Sequence, residues 1–153
     1  MEINLMKDHQ LSVIWEPKQQ KTEQTRQGLT QFGIESISGE PPKSLVVMLQ
    51  SSNDRVIGGA TGEAILGHFY LQQLWIDAPM RGKGYGSRIL AKVEQTVGAI
   101  GCCEVTLETM NPRSKPFYEQ HGYCIINEIV EYMPGFNRIY YKKQLHSKSQ
   151  AEN

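Results

Sequence analysis

A glycine-rich segment at residues 80–87 constrains the fold of this chain more than any other stretch. It follows an apolar, strand-like run at residues 69–76 and precedes a helix-like run at residues 87–100. Its three glycines alternate with larger residues, so the backbone can adopt positive φ angles and approach a ligand closely. Backbone amides and the positive end of the following helix dipole then meet in one place, where Arg81 and Lys83 add positive charge. The segment therefore predicts a diphosphate-binding site between a strand and a helix.

The same glycine pattern has two other interpretations. Glycines at this spacing also occur in a strand-to-helix connection in which they only relieve crowding. A nucleotide-binding P-loop is the second alternative, but that motif ends in Gly-Lys-Ser/Thr. The lysine of that ending is missing beside Gly86 and Ser87, which disfavours a P-loop.

The residues that follow the segment predict a helix and a parallel strand pair. A period of 3.6 residues between positions 84 and 100 places one set of apolar side chains on one helical face: Ile89, Leu90, Val93, Val97 and Ile100. Gly101 is well placed to end this helix in a left-handed conformation. Residues 104–109 then alternate as a strand does, and strand, helix and strand in this order predict a right-handed parallel crossover.

The other elements are predicted on either side of this unit. The segment is preceded by three runs that predict an antiparallel meander, at residues 45–49, 56–57 and 69–76. Glycines at positions 58, 59 and 62 permit a bulge there. The C-terminal part predicts a helix at 114–121 and strands at 123–132 and 139–145. The N-terminal third predicts a strand within 3–15, a polar helix at 18–28, and a short helix or loop at 29–37.

Composition narrows the class of protein. At 153 residues with a formal net charge of zero, the chain fits one domain with no general attraction to nucleic acid or anionic lipid. It shows no apolar run of membrane-spanning length and no signal-peptide pattern. Three cysteines, an odd number without metal-ligand spacing, predict reduced thiols packed in the core. We therefore expect a cytoplasmic protein without a bound metal and without a nucleic-acid or membrane partner.

Two motifs resemble those of the GNAT superfamily of N-acetyltransferases. Arg81, Gly84 and Gly86 fill the Arg/Gln-x-x-Gly-x-Gly/Ala pattern of the acetyl-CoA pyrophosphate loop. Further along, Asn111 and Tyr118 begin a pattern similar to the family's Asn-x-x-Ala-x-x-Leu-Tyr-x-x-x-Gly-Phe, which Gly122 and Tyr123 complete. The resemblance covers residues 43–145 well, includes the closing stretch at 132–145, and covers the N-terminal third poorly.

The resemblance implies a fold, a domain and a co-substrate. The fold is α/β, with a central, mostly antiparallel sheet that splays at a parallel strand pair and is flanked by helices. One N-acetyltransferase domain would occupy residues 1–146, followed by a polar tail at 147–153. Acetyl-CoA would lie in the splay, with its pantetheine arm along the strand and its pyrophosphate on the glycine segment. The coenzyme-binding residues implied are Leu74, Trp75, Ile76, Arg81, Gly82, Lys83, Gly84, Tyr85, Gly86, Ser87 and Asn111.

The implied reaction is direct acetyl transfer from acetyl-CoA to a primary amine. Tyr118 is the candidate general acid for the departing thiolate, and its place in the motif favours this role over that of a helix aromatic that packs on the sheet. The base is open, because the strand ending at Ile76 carries no carboxylate. Glu108 is the tentative base and Glu63 an alternative, but each could be a solvated charge at a strand end. A water chain, or an amine that arrives neutral, would need neither carboxylate.

Other residues also keep two interpretations. Asn111 could bond the pantetheine arm or serve only as a turn residue before a proline. Trp75 is expected in the core and His68 on the surface, whereas Tyr70 and Phe69 could line the acceptor groove or pack internally. A non-catalytic acyl-CoA-binding module on the same fold is the rival to the enzyme. The acceptor stays open among aminoglycosides, polyamines, amino acids and protein amines, and the resemblance permits a homodimer.

Overall fold

The computed structural model describes residues 11–37 and 40–145, and these form two compact units that divide near residue 39. The first unit holds one helix, α1 (Gln19–Ile37), which runs without interruption through Gly28 and Gly33. The prediction of two separate elements broken by these glycines is therefore wrong. A glycine inside a helix costs only about 1 kcal/mol relative to alanine, and the surrounding helix-forming residues offset that cost. Residues 11–15 form no strand, and the rest of that predicted strand lies outside the described residues.

The second unit contains a six-stranded mixed sheet with helices α2 and α3. Its strands run in the spatial order β1-β2-β3-β4-β6-β5. The elements are β1 (Lys43–Gln50), β2 (Val56–Ile65), β3 (His68–Ile76), α2 (Tyr85–Ala99), β4 (Glu104–Thr109), α3 (Lys115–Gln120), β5 (Cys124–Met133) and β6 (Phe136–Gln144). The division into units does not test the prediction of a single domain over 1–146, which stays a prediction.

Strands β3 and β4 form the predicted parallel pair, and all other neighbouring strands are antiparallel. The parallel register extends only from His68 opposite Glu104 to Leu71 opposite Leu107. Beyond Leu71 the two strands diverge, although β3 still pairs with β2 and β4 still pairs with β6. A bulge between Thr61 and Gly62 lies opposite the point of divergence. The sheet therefore splays at the position that the resemblance implied.

Helix α2 covers one face of the sheet with its apolar side. Ile89, Leu90, Val93 and Val97 are buried there, as the period predicted, and they join a core that includes Phe69 and other strand residues. Ile100, the fifth member of the predicted face, is 57% exposed because the helix has ended before it. Gly101 adopts φ 91°, which confirms the left-handed termination.

Three further predictions about burial need correction or confirmation. Trp75 is 49% exposed, so the expectation of a core tryptophan is wrong; its strand position places it on the face away from α2. Of the three unpaired cysteines only Cys102 is buried, and Cys103 and Cys124 are exposed. His68 is on the surface as expected, where its Nδ1 lies 2.8 Å from Glu104 Oε1. No helix among the described residues is long and apolar enough to span a membrane.

Candidate functional site

The glycine segment lies at the N-terminus of α2, as predicted. Gly82 and Gly84 adopt φ angles of 72° and 80°, and Gly84 is the residue that precedes the first turn of the helix. The first amides of a helix have no partners within the helix, so they point outward from this turn. A Cβ atom built on Gly82 or Gly84 would contact nothing within 4 Å, so the space above the segment is open. This geometry can accept an anionic group at the positive end of the helix dipole.

A cavity of about 760 Å³, here called the loop cavity, opens over this segment. Its walls come from the end of β3, the glycine segment, the first turn of α2, and the stretch that contains α3. The structure brings ten of the predicted coenzyme-binding residues to it: Leu74, Trp75, Ile76, Arg81, Gly82, Gly84, Tyr85, Gly86, Ser87 and Asn111. Lys83 does not line the cavity. Four lining residues were not predicted: Met80, Arg113, Ser114 and Phe117.

Arg81 has a more fixed position than the sequence suggested. Its Nε donates a hydrogen bond of 2.9 Å to the carbonyl oxygen of Ile76, at the end of β3. The side chain thus links the strand end to the glycine segment, and it is not simply a mobile positive charge. Arg81 nevertheless lines the loop cavity.

A second cavity of about 560 Å³, here called the splay cavity, lies between the diverging ends of β3 and β4. It is lined by Leu71, Gln72, Gln73, Leu74, Trp75, Leu107, Glu108, Thr109 and Tyr118. The two cavities share Leu74, Trp75 and Tyr118. A molecule in one cavity and a molecule in the other would therefore meet beside these three residues.

Tyr118 occupies α3 at this shared wall. Only 8% of the residue is exposed, and its ring packs 5.6 Å from Tyr141 and 5.7 Å from Tyr123, measured between centroids. Burial, helped by the nearby Tyr141, raises the pKa of Tyr118 to about 12. The phenol is therefore protonated at neutral pH and has a proton to donate, although the raised pKa makes it a weaker acid than an ordinary tyrosine. The structure thus combines the packing role with a position that suits the predicted acid.

Asn111 has the role of a turn residue and also lines the loop cavity. Its side-chain oxygen accepts a hydrogen bond of 3.0 Å from the backbone amide of Arg113 and so caps the 3-10 turn before α3. The side-chain nitrogen of Asn111 has no partner among the described residues. That nitrogen stays free to bind a carbonyl group in the cavity.

Glu108, the tentative base, is held by a basic residue that the sequence analysis did not single out. The guanidinium of Arg138, on β6, donates to both carboxylate oxygens, with 2.9 Å from Nε to Oε2. These bonds, with help from Tyr140 and Tyr70, hold the pKa of Glu108 below its ordinary value. A carboxylate with a lowered pKa is a weaker base, so this contact disfavours proton abstraction by Glu108.

The remaining sequence candidates lie on opposite faces of the sheet. Phe69 is buried in the core beneath α2, whereas Tyr70 is half-exposed on the other face, near Glu108. Glu63, the alternative base, pairs in register with Tyr70 but does not line the splay cavity. The described residues contain no cluster of three or more side chains that could hold a metal ion.

Arg138 could have been suspected from the alternation of β6. Within this strand, buried Ile139 and Tyr141 alternate with Arg138 and Tyr140 on the other face. The pattern shows which side chains share a face, but only the pairing of β4 with β6 sets Glu108 beside Tyr140. The partner strand was therefore needed to identify the pair.

Comparisons with known proteins give a consistent result. The model of the acetyltransferase (GNAT) family matches residues 8–123. An acetyltransferase of Agrobacterium fabrum is 27% identical over 104 residues, which cover 68% of this chain and 76% of that protein. Blasticidin-S acetyltransferase of Streptomyces morookaense is 33% identical over 89 residues, which cover 58% of this chain and 65% of that enzyme.

Solved structures show the same fold. The crystal structure of an acetyltransferase from Bacillus cereus matches with a TM-score of 0.73 at 22% identity, covering 88% of this chain and 98% of the other. A Bacillus anthracis protein assigned as a streptothricin acetyltransferase, crystallised with acetyl coenzyme A, matches with a TM-score of 0.61 at 20% identity. That match covers 70% of this chain and 65% of the other. With its splayed sheet, its glycine segment at the mouth of α2 and a family model matched over most of its length, this chain belongs to the GNAT acetyltransferase family, whose members use acetyl-CoA.

Proposed function

We propose that this protein is an acetyl-CoA-dependent N-acetyltransferase that moves an acetyl group directly onto a primary amine. The single observation that carries the proposal is the pair of cavities that meet at Leu74, Trp75 and Tyr118. One cavity has the open, amide-rich turn that a diphosphate needs. The other gives an acceptor access to the same wall. Two substrates could therefore react by direct transfer.

The loop cavity fits coenzyme A on chemical grounds. The positive-φ glycines leave room above the helix terminus, and Arg81 and Arg113 supply cationic side chains on its walls. Between Leu74 and Ile76 the β4-facing edge of β3 pairs with no strand, so its backbone groups can bond the amides of a pantetheine arm as a neighbouring strand would. When bound, acetyl-CoA supplies an activated acyl group as a thioester.

The residues of this chain would assist a transfer in which one N–C bond forms and one C–S bond breaks. A neutral amine supplies the electron pair and loses one proton, and the sulfur leaves as a thiolate. The Tyr118 hydroxyl gives its proton to that thiolate, and solvent later restores it. Backbone amides at the open edge of β3 can polarise the acyl oxygen. Glu108 was the tentative base, but its contact with Arg138 favours an amine that reaches the site neutral or loses its proton to water.

The acceptor is expected to be a small molecule or a peptide with a primary amine. The similarity to an enzyme named blasticidin-S acetyltransferase favours the small molecule over the peptide. A homodimer stays a prediction. We place the activity in the cytoplasm, since acetyl-CoA is made and used there and the three cysteines are unpaired.

A turnover assay tests this function. Purified protein is incubated with acetyl-CoA and a panel of amines while free thiol is followed, and acetyl-CoA affinity is measured separately by calorimetry. We expect thiol release that depends on both the amine and the protein. Tight binding of acetyl-CoA without turnover across a broad panel would support the rival, a non-catalytic acyl-CoA-binding module on the same fold.

A further inference from the structure

The splay cavity has an uneven distribution of charge. Among the described residues that line it, Glu108 is the only one with an ionised side chain, and none of them is basic. The remaining polar side-chain groups of the lining residues are the amides of Gln72 and Gln73, the indole N–H of Trp75, and the hydroxyls of Thr109 and Tyr118. A molecule that enters the cavity therefore meets one negative charge among neutral hydrogen-bonding groups.

The orientation of the Glu108–Arg138 pair strengthens this negative end. Strand β6 lies next to β4 on the side opposite the splay, so Arg138 contacts Glu108 from the side that faces away from the splay cavity. Arg138 is absent from the lining of the cavity, whereas Glu108 is part of it. The ion pair is thus a dipole whose carboxylate end lies toward the acceptor. The side chains of Glu108 and Arg138 are 24% and 27% exposed, so solvent screens the pair only in part.

The carboxylate is held in place by Arg138, which occupies one acceptor position on each oxygen. A carboxylate offers about four such positions, and the hydroxyls of Tyr70 and Tyr140 lie near the others. The guanidinium is itself fixed by two aromatic rings, with centroids 4.8 Å away for Tyr132 and 5.6 Å for Tyr140. Glu108 therefore presents a preorganised negative charge, and an N–H donor of the acceptor would share its oxygens with the Tyr70 and Tyr140 hydroxyls.

The reacting amine is a poor partner for such a group. Transfer needs a nitrogen with a free electron pair, and a permanently anionic neighbour stabilises the protonated ammonium form instead. A fixed carboxylate therefore assists acetyl transfer only when it binds a part of the acceptor other than the reacting amine. A second cationic group with N–H donors has the matching chemistry.

We propose that Glu108 is an acceptor-recognition residue that binds a second, non-reacting cationic N–H group of the amine substrate, with Arg138 as its positioning residue. This inference rests on the proposed acetyl transfer and names the substrate class for it. The acceptor is then a polycationic small molecule with at least one primary amine and one further ammonium or guanidinium group.

Three amines of equal chain length test the proposal. They are 1,5-diaminopentane, hexylamine and 6-aminohexanoate. Each has a primary amine at one end, and the opposite end is positive, neutral or negative, in that order. Acetylation is read as acetyl-CoA-dependent thiol release, after correction for the two equivalent amines of the diamine. For the wild type we expect kcat/KM for the diamine to exceed that for hexylamine by about 10- to 100-fold, as a charged hydrogen bond would give. The aminohexanoate should be the poorest of the three.

Glu108→Gln keeps the shape of the side chain but removes its charge. We expect the preference for the diamine to disappear through a higher KM, while kcat and the shape of its pH profile stay the same. Glu104→Gln is the matched control, because Glu104 lies on the same strand and face. Glu104 also pairs with a β6 lysine, Lys142, at 3.3 Å, but it does not line the cavity. The control should retain the wild-type preference.

Arg138→Lys separates positioning from packing. A lysine keeps the charge but cannot form the two-pronged contact with both oxygens, so the KM for the diamine should rise while that for hexylamine stays constant. Calorimetric binding of acetyl-CoA to each variant verifies that the site is folded.

Several results would overturn the inference. Equal rates for the diamine and hexylamine, or a preference for 6-aminohexanoate, would show that the negative end does not select the acceptor. A fall in kcat of about 10²-fold or more for all three amines in Glu108→Gln would identify Glu108 as the base instead. Turnover without charge preference rejects this inference alone, whereas acetyl-CoA binding without turnover of any amine rejects the proposed function with it.

Discussion

The loop cavity and the splay cavity share three residues but are built from different parts of the chain. The loop cavity depends on backbone: positive-φ glycines, helix amides and an unpaired strand edge, mostly within residues 74–87. The splay cavity depends on where β3 and β4 diverge, and its charge is set by the pairing of Glu108 with Arg138 across two strands. A ligand common to a whole family can be bound by backbone, which varies little with side-chain identity. A ligand particular to one protein needs side chains.

The largest effect expected from this contrast is that of a charged side chain in the glycine segment. Gly84→Glu should weaken acetyl-CoA binding by about 10³-fold, because a carboxylate would face the diphosphate and like charges cost several kcal/mol. Calorimetry measures the affinity.

Gly135→Glu is its matched control. Gly135 has the same φ of 80° and the same open surroundings, but it lies in the β5–β6 turn, outside both cavities. Both variants lose about 1–2 kcal/mol through backbone strain. Only Gly84→Glu should lose the coenzyme, and equal affinities in the two variants would remove the diphosphate from the glycine segment.

Tyr118→Phe tests the wall that the cavities share. We expect kcat to fall by about 10²-fold, as loss of a general acid does, with little change in acetyl-CoA affinity. Burial raises the pKa of Tyr118 to about 12, so its hydroxyl stays protonated through the neutral range. The titration of Tyr118 should therefore cause no fall in wild-type kcat at any pH below about 12. Steady-state kinetics at several pH values measure both effects.

Tyr123→Phe is the control for a buried tyrosine. The Tyr123 hydroxyl donates to Glu94 at 3.0 Å, away from both cavities, so this variant should lose stability and retain kcat. Wild-type kcat in Tyr118→Phe at every pH would eliminate Tyr118 as the acid.

A smaller effect distinguishes the cations near the loop cavity. Arg113 lines the cavity and Lys83 does not, although the sequence motif favoured Lys83. Arg113→Ala should weaken acetyl-CoA binding about three- to fivefold, as expected of an exposed charge, and Lys83→Ala should leave it unchanged. Calorimetric titration measures both affinities. A larger loss of affinity in Lys83→Ala than in Arg113→Ala would show that Lys83 contacts the coenzyme, as the sequence motif predicted.

The smallest effect concerns the charge of the splay cavity. The folded pKa of Glu108 lies below the ordinary 4.5, so its contribution to stability is complete above pH 4.5 and is lost as the pH falls through the lowered value. The wild type should therefore lose more stability than Glu108→Gln between pH 6 and pH 3. Urea unfolding at both pH values measures the difference, and parallel losses would mean that Arg138 does not hold the carboxylate.

The sequence by itself determined the parts that local rules control. The period of α2, the alternation of β4 and the glycines of residues 80–87 each fix a local geometry through nearby residues, so the positions of these elements and of the glycine segment were predicted closely. The continuous helix α1 was missed because two glycines were given more weight than the helix-forming residues around them.

Only the tertiary structure decided which side chains meet. Glu108 and Arg138 are thirty residues apart, and their contact exists because β6 pairs with β4 rather than with another strand. Trp75 is exposed because the face that it occupies is not covered by α2, which the strand pattern alone did not reveal. Strand order and facing are properties of the assembled sheet, since many pairings satisfy the same alternation of polar and apolar residues. For that reason the glycine segment could be located from the sequence, whereas the charge of the splay cavity could be known only from the fold.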